Sequence, residues 1–241
     1  MTKNKYLDDL GIPMDKYGTN FMPDDDERMP KWEEEKKEWG FDSRETWNMD
    51  RIFVEWLYSH LMMYKEVIGE KAEDSMVFSV SCIEKDDLHT LSEWIDVILE
   101  HCRFQLLTEM WSEREEKAYK GMVEALHIFS EIFYMLWIVK DTPPESTLYV
   151  QKQMYGFDER EVYQFNHEYA KWMHLHLKMF NDVNIIATDK DKVTIEDKEI
   201  TLQTCIDSLL EHCRRYLEDG TVSEMMKATR IWAEVFPAFW W

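Results

Sequence analysis

The sequence predicts a mainly all-α protein in which two tandem three-helix repeats pack with pseudo-two-fold symmetry. Glycine and proline are scarce, at 7 and 6 of 241 residues, whereas methionine, tryptophan, tyrosine and phenylalanine number 16, 11, 11 and 12. This balance is typical of helices that pack through large side chains and are joined by short loops. Apolar residues also recur at i, i+3, i+4 and i+7 spacing in three segments of each half of the chain.

The duplication is visible as three blocks of sequence that recur in the same order. WGFDSRETW at 39–47 returns as YGFDEREVY at 155–163, and further identities follow to residue 67 at a constant offset of 116. The later blocks are LSEWIDVILEHCRFQLL (91–107) with LQTCIDSLLEHCRRYLE (202–218), and KAYKGMVEALHIF (117–129) with KATRIWAEVFPAF (227–239). Because three amphipathic helices form a thin unit, we expect the two copies to bury their apolar faces against each other, as in a homodimer.

These blocks set the predicted domain organisation. Repeat 1 spans 31–139 and repeat 2 spans 148–241, and a linker at 140–147, KDTPPEST, contains two adjacent prolines. Residues 1–30 carry the acidic run DDDER and little periodicity. We expect them to form an extended or partly mobile N-terminal arm.

The first predicted helix of each repeat carries a continuous apolar stripe. The stripe consists of Met49, Phe53, Trp56, Leu57, His60, Leu61 and Tyr64 in repeat 1, and of Phe165, Tyr169, Trp172, Met173, His176, Leu177 and Phe180 in repeat 2. The spacing is kept while the residues change, which indicates that this helix face is buried.

The second predicted helix begins with a threonine cap in both repeats. Thr90 is followed three residues later by Glu93, a capping-box pattern, and Thr201 repeats the cap. The β-branched runs that precede these caps predict a small β-hairpin in each repeat. The third helix carries Met122, Leu126, Phe129, Phe133 and Trp137 in repeat 1, and Trp232, Phe236, Phe239 and Trp240 in repeat 2, where Pro237 is expected to kink or end it.

The repeated sequence motif GFDxRE has two interpretations, one as a connection between two helices and one as a source of catalytic carboxylates. In the structural interpretation Gly40 ends a short helix over 31–38 in the left-handed conformation, Asp42 caps the next helix and Glu45 closes a capping box, with Phe41 as the hydrophobic staple. The second copy has the same residue types at Gly156, Phe157, Asp158 and Glu161. Arg44 and Arg160 are left over, and they are candidates for a partner contact or a structural ion pair.

The histidines and cysteines favour structural roles. His60 and His176 lie on the apolar stripes, where a hydrogen-bonded core histidine is more common than a ligand, although both stay candidates for binding a ligand or partner. Cys82, Cys102, Cys205 and Cys213 show no CxxC spacing, and we expect reduced core thiols. The sequence contains no metal-binding motif of histidines or cysteines, and no metal or other cofactor is predicted.

One pattern points to catalysis instead. Glu93 and Asp96 form an ExxD pair that, with Asp42 or Glu45, resembles the acidic helix pairs by which all-α nucleotide pyrophosphohydrolases hold Mg²⁺. Repeat 2 departs from this pattern, because Gln203 or Thr204 replaces the first acidic residue and only Asp207 remains. Whether the protein is an enzyme stays open, and the pattern as a whole favours a non-enzyme.

The net charge of −21 restricts the partners that the surface can attract. Such a field repels the phosphates of nucleic acids and anionic lipids, so direct nucleic-acid binding and a membrane partner are not expected. Nothing in the sequence approaches the run of about 20 apolar residues that a membrane span requires. We therefore expect a cytoplasmic protein.

The segment GFDSRETWNMD, followed by LSEWIDVIL and EALHIFSEIFYMLW, resembles a group of uncharacterised proteins from tailed bacteriophages. The resemblance covers most of 39–137 and, more faintly, 155–241, where Tyr163 and Asn166 depart from the Trp and Asp of the pattern. It implies a phage origin and expression in the cytoplasm of a bacterial host cell. It implies no activity and assigns no catalytic residue.

These observations predict a non-enzymatic phage accessory protein with a counter-defence role, which sequesters a host protein or a small signalling nucleotide. An anionic nucleotide would have to use Arg44, Arg160, Arg103 or Arg214, since these are the candidate cations. The alternatives are a Mg²⁺-dependent nucleotide hydrolase that uses Asp42, Glu45, Glu93 and Asp96, and a component of the virion or of its assembly. A homo-oligomer is compatible with all three.

Overall fold

The computed structural model describes residues 4–12, 26–69, 77–83, 88–108, 114–183, 192–195 and 198–239, and the fold is mainly α-helical, as predicted. Its α-helices are α1 (Lys5–Asp9), α2 (Met29–Trp39), α3 (Met49–Ile68), α4 (Leu91–Leu107), α5 (Glu115–Ile132), α6 (Glu145–Tyr155), α7 (Arg160–Tyr163), α8 (Phe165–Val183), α9 (Leu202–Asp219) and α10 (Val222–Val235). Short 3-10 helices lie at Ser43–Thr46, Phe133–Met135 and Phe236–Phe239. Strands β1 (Lys192–Ile195) and β2 (Lys198–Thr201) pair antiparallel, with Lys192 opposite Thr201.

The chain divides into two compact units, and each takes segments from both predicted repeats. Unit 1 consists of Met1–Met14 and Val54–Tyr169, and unit 2 of Asp15–Phe53 and Ala170–Trp241. The GFD motif of each predicted repeat therefore lies in the unit that contains most of the long helix of the other repeat. The copy that follows Tyr155 lies in the same unit as the C-terminal part of α3, and the copy that follows Trp39 lies in the same unit as most of α8. The boundaries of the repeats and their two-fold symmetry stay predictions.

The core of unit 1 is formed around α4 and α5, which pack along each other. Phe129 of α5 lies edge-on to Tyr169, with ring centroids 4.9 Å apart. The capping box at the start of α4 is confirmed, because the Thr90 hydroxyl accepts from the Glu93 amide and the Glu93 carboxylate accepts from the Thr90 amide. Ile95, Ile98 and Cys102 of α4 are buried in this core, and so are Met122 and Leu126 of the predicted stripe of α5.

The core of unit 2 is formed around α9 and α10, with β1 packed on α10. The Phe53 ring lies 5.3 Å from that of Trp172 and 5.5 Å from that of Trp232. Thr201 caps α9 by accepting from the Thr204 amide, as predicted. Helix α10 ends at Val235, before Pro237, and continues only as a 3-10 helix, which confirms the expected helix end.

The N-terminal segment is not extended where it is described. Residues Lys5–Asp9 form α1, and the side chains of Tyr6 and Leu7 are buried. The Tyr6 hydroxyl donates to Glu66 at 2.8 Å, and the Tyr6 ring stacks on Tyr155 with centroids 4.5 Å apart. The predicted extended arm was therefore wrong for residues 4–12, because aromatic burial fixes them. Residues 13–25 of the predicted arm lie outside the described residues.

Other local expectations are corrected. Trp137 was predicted to continue the stripe of α5, but α5 ends at Ile132 and the Trp137 side chain is 59% exposed. Cys82 is exposed rather than in the core. The predicted linker is irregular only to Pro144, because Glu145 begins α6. Trp240 lies outside the described residues.

The hairpin prediction is confirmed in repeat 2 by β1 and β2. In repeat 1 the described residues show an isolated antiparallel bridge between Phe78 and His89, and residues 70–76 and 84–87 lie outside them. Among the described residues, no helix has the length and apolarity needed to span a membrane.

Candidate functional site

The repeated GFD motif forms a tight turn at the end of a helix. Helix α2 ends at Gly40, which has a φ of 87°, and α6 ends at Gly156, which has a φ of 88°. These left-handed values favour glycine, as predicted. The Asp42 side chain then accepts from the Arg44 amide and caps the 3-10 helix Ser43–Thr46.

Arg44 and Arg160 form ion pairs inside their own motifs. In both copies the arginine Nε donates to Oδ1 of the aspartate at 2.9 Å, and Nη2 donates to Oδ2 at 2.7 Å. Arg44 also lies over the ring of Trp32, 4.6 Å from its centroid. Both arginines therefore form structural ion pairs, which is one of the two roles predicted for them.

The surroundings of Asp42 favour its charged form. Burial raises the pKa of Asp42, but hydrogen bonds from Arg44 and Lys36 outweigh burial and hold that pKa below its ordinary value. The same balance, with Arg160 as the main opposing group, lowers the pKa of Asp158. These carboxylates are therefore bound to cations of the chain itself.

His176 lies between two aromatic rings in unit 2. Phe41 stacks on one face of its imidazole with centroids 3.9 Å apart, and Trp172 on the other with centroids 4.0 Å apart. Nδ1 donates to the Trp172 carbonyl at 2.9 Å, and Nε2 lies 3.2 Å from Oε2 of Glu45. The predicted capping box at Asp42 was therefore wrong, because the Glu45 carboxylate contacts His176 instead. Phe41 stacks on His176, and its role as a hydrophobic staple stays a prediction.

His60 has matching neighbours in unit 1. Its ring stacks on Phe157 at 3.9 Å and on Trp56 at 4.2 Å. Nδ1 donates to the Trp56 carbonyl at 2.9 Å, and Nε2 lies 3.4 Å from Oε2 of Glu161.

These histidines have little surface with which to bind a ligand. Both side chains are only 5% exposed, both ring faces are covered, and both nitrogens have acceptors from the chain. The arrangement fixes the GFD motif of one predicted repeat onto the helix of the other. It is a packing arrangement built around a polar ring.

The four carboxylates of the catalytic alternative are divided between the two units. Asp42 and Glu45 belong to unit 2, whereas Glu93 and Asp96 belong to unit 1. Glu93 is occupied by the capping box, and Asp96 pairs with Lys65. Within the ranges that the structure describes, no group of three or more His, Cys, Asp or Glu side chains is arranged to hold a metal ion.

The other two candidate arginines lie on exposed helix faces. Arg214 of α9 pairs with Glu211 and Glu218, and hydrogen bonds to these carboxylates raise the pKa of its guanidinium. Arg103 of α4 lines a cavity of about 360 Å³ with Arg114 and Glu100. Arg103 therefore lies beside an open space.

A groove in unit 1 was not predicted. It lies between α6 and the C-terminal part of α3, and its volume is about 560 Å³. Its apolar lining includes Met63, Val67, Val150 and Met154, and Glu66 lines it as well. A signal for it was present in the sequence, because extending the offset of 116 upstream of residue 39 aligns Val150 and Met154 of α6 with Glu34 and Glu38 of α2.

No family model, no curated protein and no solved structure matches this chain.

Proposed function

We propose that this chain is a non-enzymatic binding protein that recognises a protein partner through a basic surface of that partner. The observation that carries this proposal is the pairing of arginines with carboxylates of the chain. Arg44, Arg160 and Arg214 are each hydrogen-bonded to aspartate or glutamate. An anionic nucleotide that used these three arginines would have to displace their carboxylates, and at Arg103, which lines a cavity, it would still enter a field set by a net charge of −21.

A basic protein surface meets no such obstacle. Complementary charge accelerates encounter and aligns the partners, and it makes the association sensitive to salt. The resemblance to tailed-phage proteins extends the proposal to a host protein of the bacterial cytoplasm, as in a counter-defence role. Of the two ligand classes that the sequence leaves open, the protein partner is the one that the ion pairs favour.

The hydrolase alternative receives less support from the geometry. Each of its four carboxylates stabilises a local structure: Asp42 caps a 3-10 helix, Glu93 closes a capping box, and Asp96 and Glu45 contact Lys65 and His176. Carboxylates that hold Mg²⁺ converge on one point instead.

The test is affinity capture on the immobilised full-length chain from a bacterial lysate, with elution by a salt gradient and identification by mass spectrometry. Each protein found is then purified and titrated against the chain by calorimetry at several salt concentrations. We expect a partner with an excess of Lys and Arg whose Kd rises steeply with salt. A partner whose Kd does not change with salt contradicts the proposal.

Two further measurements compare the alternatives. A panel of cyclic dinucleotides is titrated into the chain, and saturable binding that is lost in Arg44→Ala or Arg160→Ala would contradict the proposal. A nucleotide panel with Mg²⁺ is assayed for turnover, with Glu93→Gln as the matched variant, because glutamine can also close the capping box of α4. Turnover that disappears in this folded variant would establish the hydrolase instead.

A further inference from the structure

Helices α2 and α6 occupy equivalent places in their units. Each spans 11 residues, ends at a left-handed glycine and has a single fully buried side chain, which is Trp32 in α2 and Leu148 in α6. The polar contacts also match at an offset of 116: they are Glu35 with the Ser43 amide and Gln151 with the Glu159 amide, and Lys36 with Asp42 and Lys152 with Asp158.

The exposed residues of the two helices differ in kind. Positions Glu33 and Glu34 of α2 correspond to Tyr149 and Val150 of α6, and all four side chains are exposed. Tyr149 is 66% exposed and Val150 is 51% exposed. Since α2 builds the same helix end with glutamates, the fold of α6 does not need apolar residues there. Contiguous exposed apolar side chains mark interaction sites, whereas single ones are normal on a protein surface, so the neighbours of Val150 decide whether a site is present.

The groove beside α6 is the surface on which we expect a contact with another molecule to form. Val150 and Met154 lie four residues apart on α6, so they share one helix face, and Met63 and Val67 of α3 lie on the groove lining as well. A groove between two helices that is lined by both apolar and polar residues is suited to an amphipathic third helix. Met154 corresponds to Glu38 of α2, so this change from acidic to apolar also follows the groove.

The negative charge of this surface indicates which kind of molecule binds in the groove. Glu66 and Glu159 line the groove, and Lys140 is the cation that pairs with Glu159 at 3.1 Å. A second copy of the chain would bring another net charge of −21 to this surface, and it would be repelled. A helix with leucine-like residues on one face and lysine or arginine on the other satisfies both the apolar lining and the acidic field.

We propose that the groove between α6 and α3 in unit 1 binds an amphipathic, basic α-helix of the partner protein, with Met63, Val150 and Met154 as apolar contacts. This inference rests on the proposed function, because it assigns that function a surface and a partner structure.

The probe is a fluorescent helical peptide of about 18 residues made of leucine and lysine, with leucines at i, i+3, i+4 and i+7. A second peptide of the same composition has the leucines scrambled. Binding to the full-length chain is measured by fluorescence anisotropy for the wild type and for Val150→Glu/Met154→Glu, which changes two residues of the groove lining. This variant copies the residues that α2 already carries, so we expect it to fold, and circular dichroism with thermal melting checks this.

The direction of the change separates docking from general attraction. The variant adds two negative charges, so a purely electrostatic complex becomes tighter or stays unchanged, whereas loss of the apolar contacts weakens binding of the patterned peptide by at least about tenfold. The scrambled peptide is expected to bind both proteins more weakly and about equally. Val150→Ala/Met154→Ala provides the same test without added charge.

Several outcomes would overturn the inference. They are failure of the wild type to bind the patterned peptide, equal or tighter binding by the glutamate variant, and equal binding of the two peptides by the wild type. Concentration-dependent self-association in sedimentation velocity that the variant abolishes would assign the surface to a second copy instead. If only the groove test fails while a basic partner still binds with a steep salt dependence, the proposed function stands and this surface is wrong.

Discussion

The Glu45 carboxylate lies 3.2 Å from Nε2 of His176, and the corresponding distance between Glu161 and His60 is 3.4 Å. Each pair joins the GFD motif of one predicted repeat to the long helix of the other. Each is also the polar edge of a stack of three rings. Ring stacking and one polar contact between glutamate and histidine thus hold each motif in place. Mutation can measure these two contributions separately.

A double-mutant cycle measures the directional contact. The variants are Glu45→Ala, His176→Phe and their combination, because phenylalanine keeps a ring between Phe41 and Trp172. We expect a coupling free energy of about 1–3 kcal/mol for this pair, since the histidine is buried and a charged group takes part. Urea denaturation at neutral pH provides the free energies of unfolding.

The matched cycle uses Glu161→Ala and His60→Phe. Glu161 is 40% exposed, compared with 20% for Glu45, so water screens its contact and we expect a coupling below about 1 kcal/mol. A coupling near zero in both cycles would show that ring stacking alone holds the motifs.

The sequence predicted those parts of the fold that local contacts determine. The end of α2 at Gly40, the caps at Thr90 and Thr201 and the end of α10 before Pro237 all depend on residues a few positions apart. Such contacts appear in the sequence as fixed spacings. The helical class and the buried stripes followed from the same kind of pattern.

The partner of Glu45 could not be predicted in this way. Its spacing from Asp42 fits a capping box, but the carboxylate contacts His176, which is 131 residues away in the chain. A spacing pattern shows that a side chain could cap, and it contains no information on a competing partner from another segment. The exposed face of α6 was missed for a related reason, because exposure depends on what the rest of the fold covers.

The two aspartates of the GFD motifs provide a second prediction. Asp42→Asn leaves the Arg44 guanidinium without its carboxylate in a place where the side chain is only 11% exposed. We expect a loss of about 1–3 kcal/mol in the free energy of unfolding. Asp158→Asn affects Arg160, which is 42% exposed and can be hydrated, and we expect less than about 1 kcal/mol.

Asparagine keeps the side-chain oxygen that accepts from the Arg44 amide, so the cap itself is retained. Urea denaturation of the two variants and the wild type at pH 7 makes the comparison. Equal losses, or a larger loss in Asp158→Asn, would contradict the role assigned to burial of the arginine.

Acid should weaken the fold through Asp42. Arg44 and Lys36 outweigh burial and lower the pKa of Asp42 from its ordinary value of 3.8. Because the folded state holds the charged form, this stabilisation is fully present above about pH 4, and it is lost as the pH falls through the lowered pKa. Urea denaturation between pH 6 and the acid limit of the fold, at about half-unit steps, follows the loss.

The non-titrating control is Asp42→Asn. We expect the difference in stability between the wild type and this variant to be constant above about pH 4.5 and to shrink below it. A difference that grows on acidification would mean that the pKa of Asp42 is raised in the folded protein.

The four thiols should differ sharply in reactivity. Cys102, Cys205 and Cys213 are buried and Cys82 is exposed. Burial raises the pKa of Cys102, and it raises the pKa of Cys205 and Cys213 to about 12. The thiolate is the reactive form, so both access and ionisation protect the buried three. We expect Ellman's reagent to titrate one thiol quickly in the native protein and all four in denaturant.

Cys82→Ala identifies the fast thiol, since it should remove the rapid phase and leave the slow one unchanged. The slow phase then reports opening of the cores, because each buried thiol reacts only when its surroundings unfold. A rapid phase that persists in Cys82→Ala would show that one of the three helical cysteines is accessible in solution. Assigning that phase by Cys102→Ala and Cys213→Ala would locate the helix pair that opens.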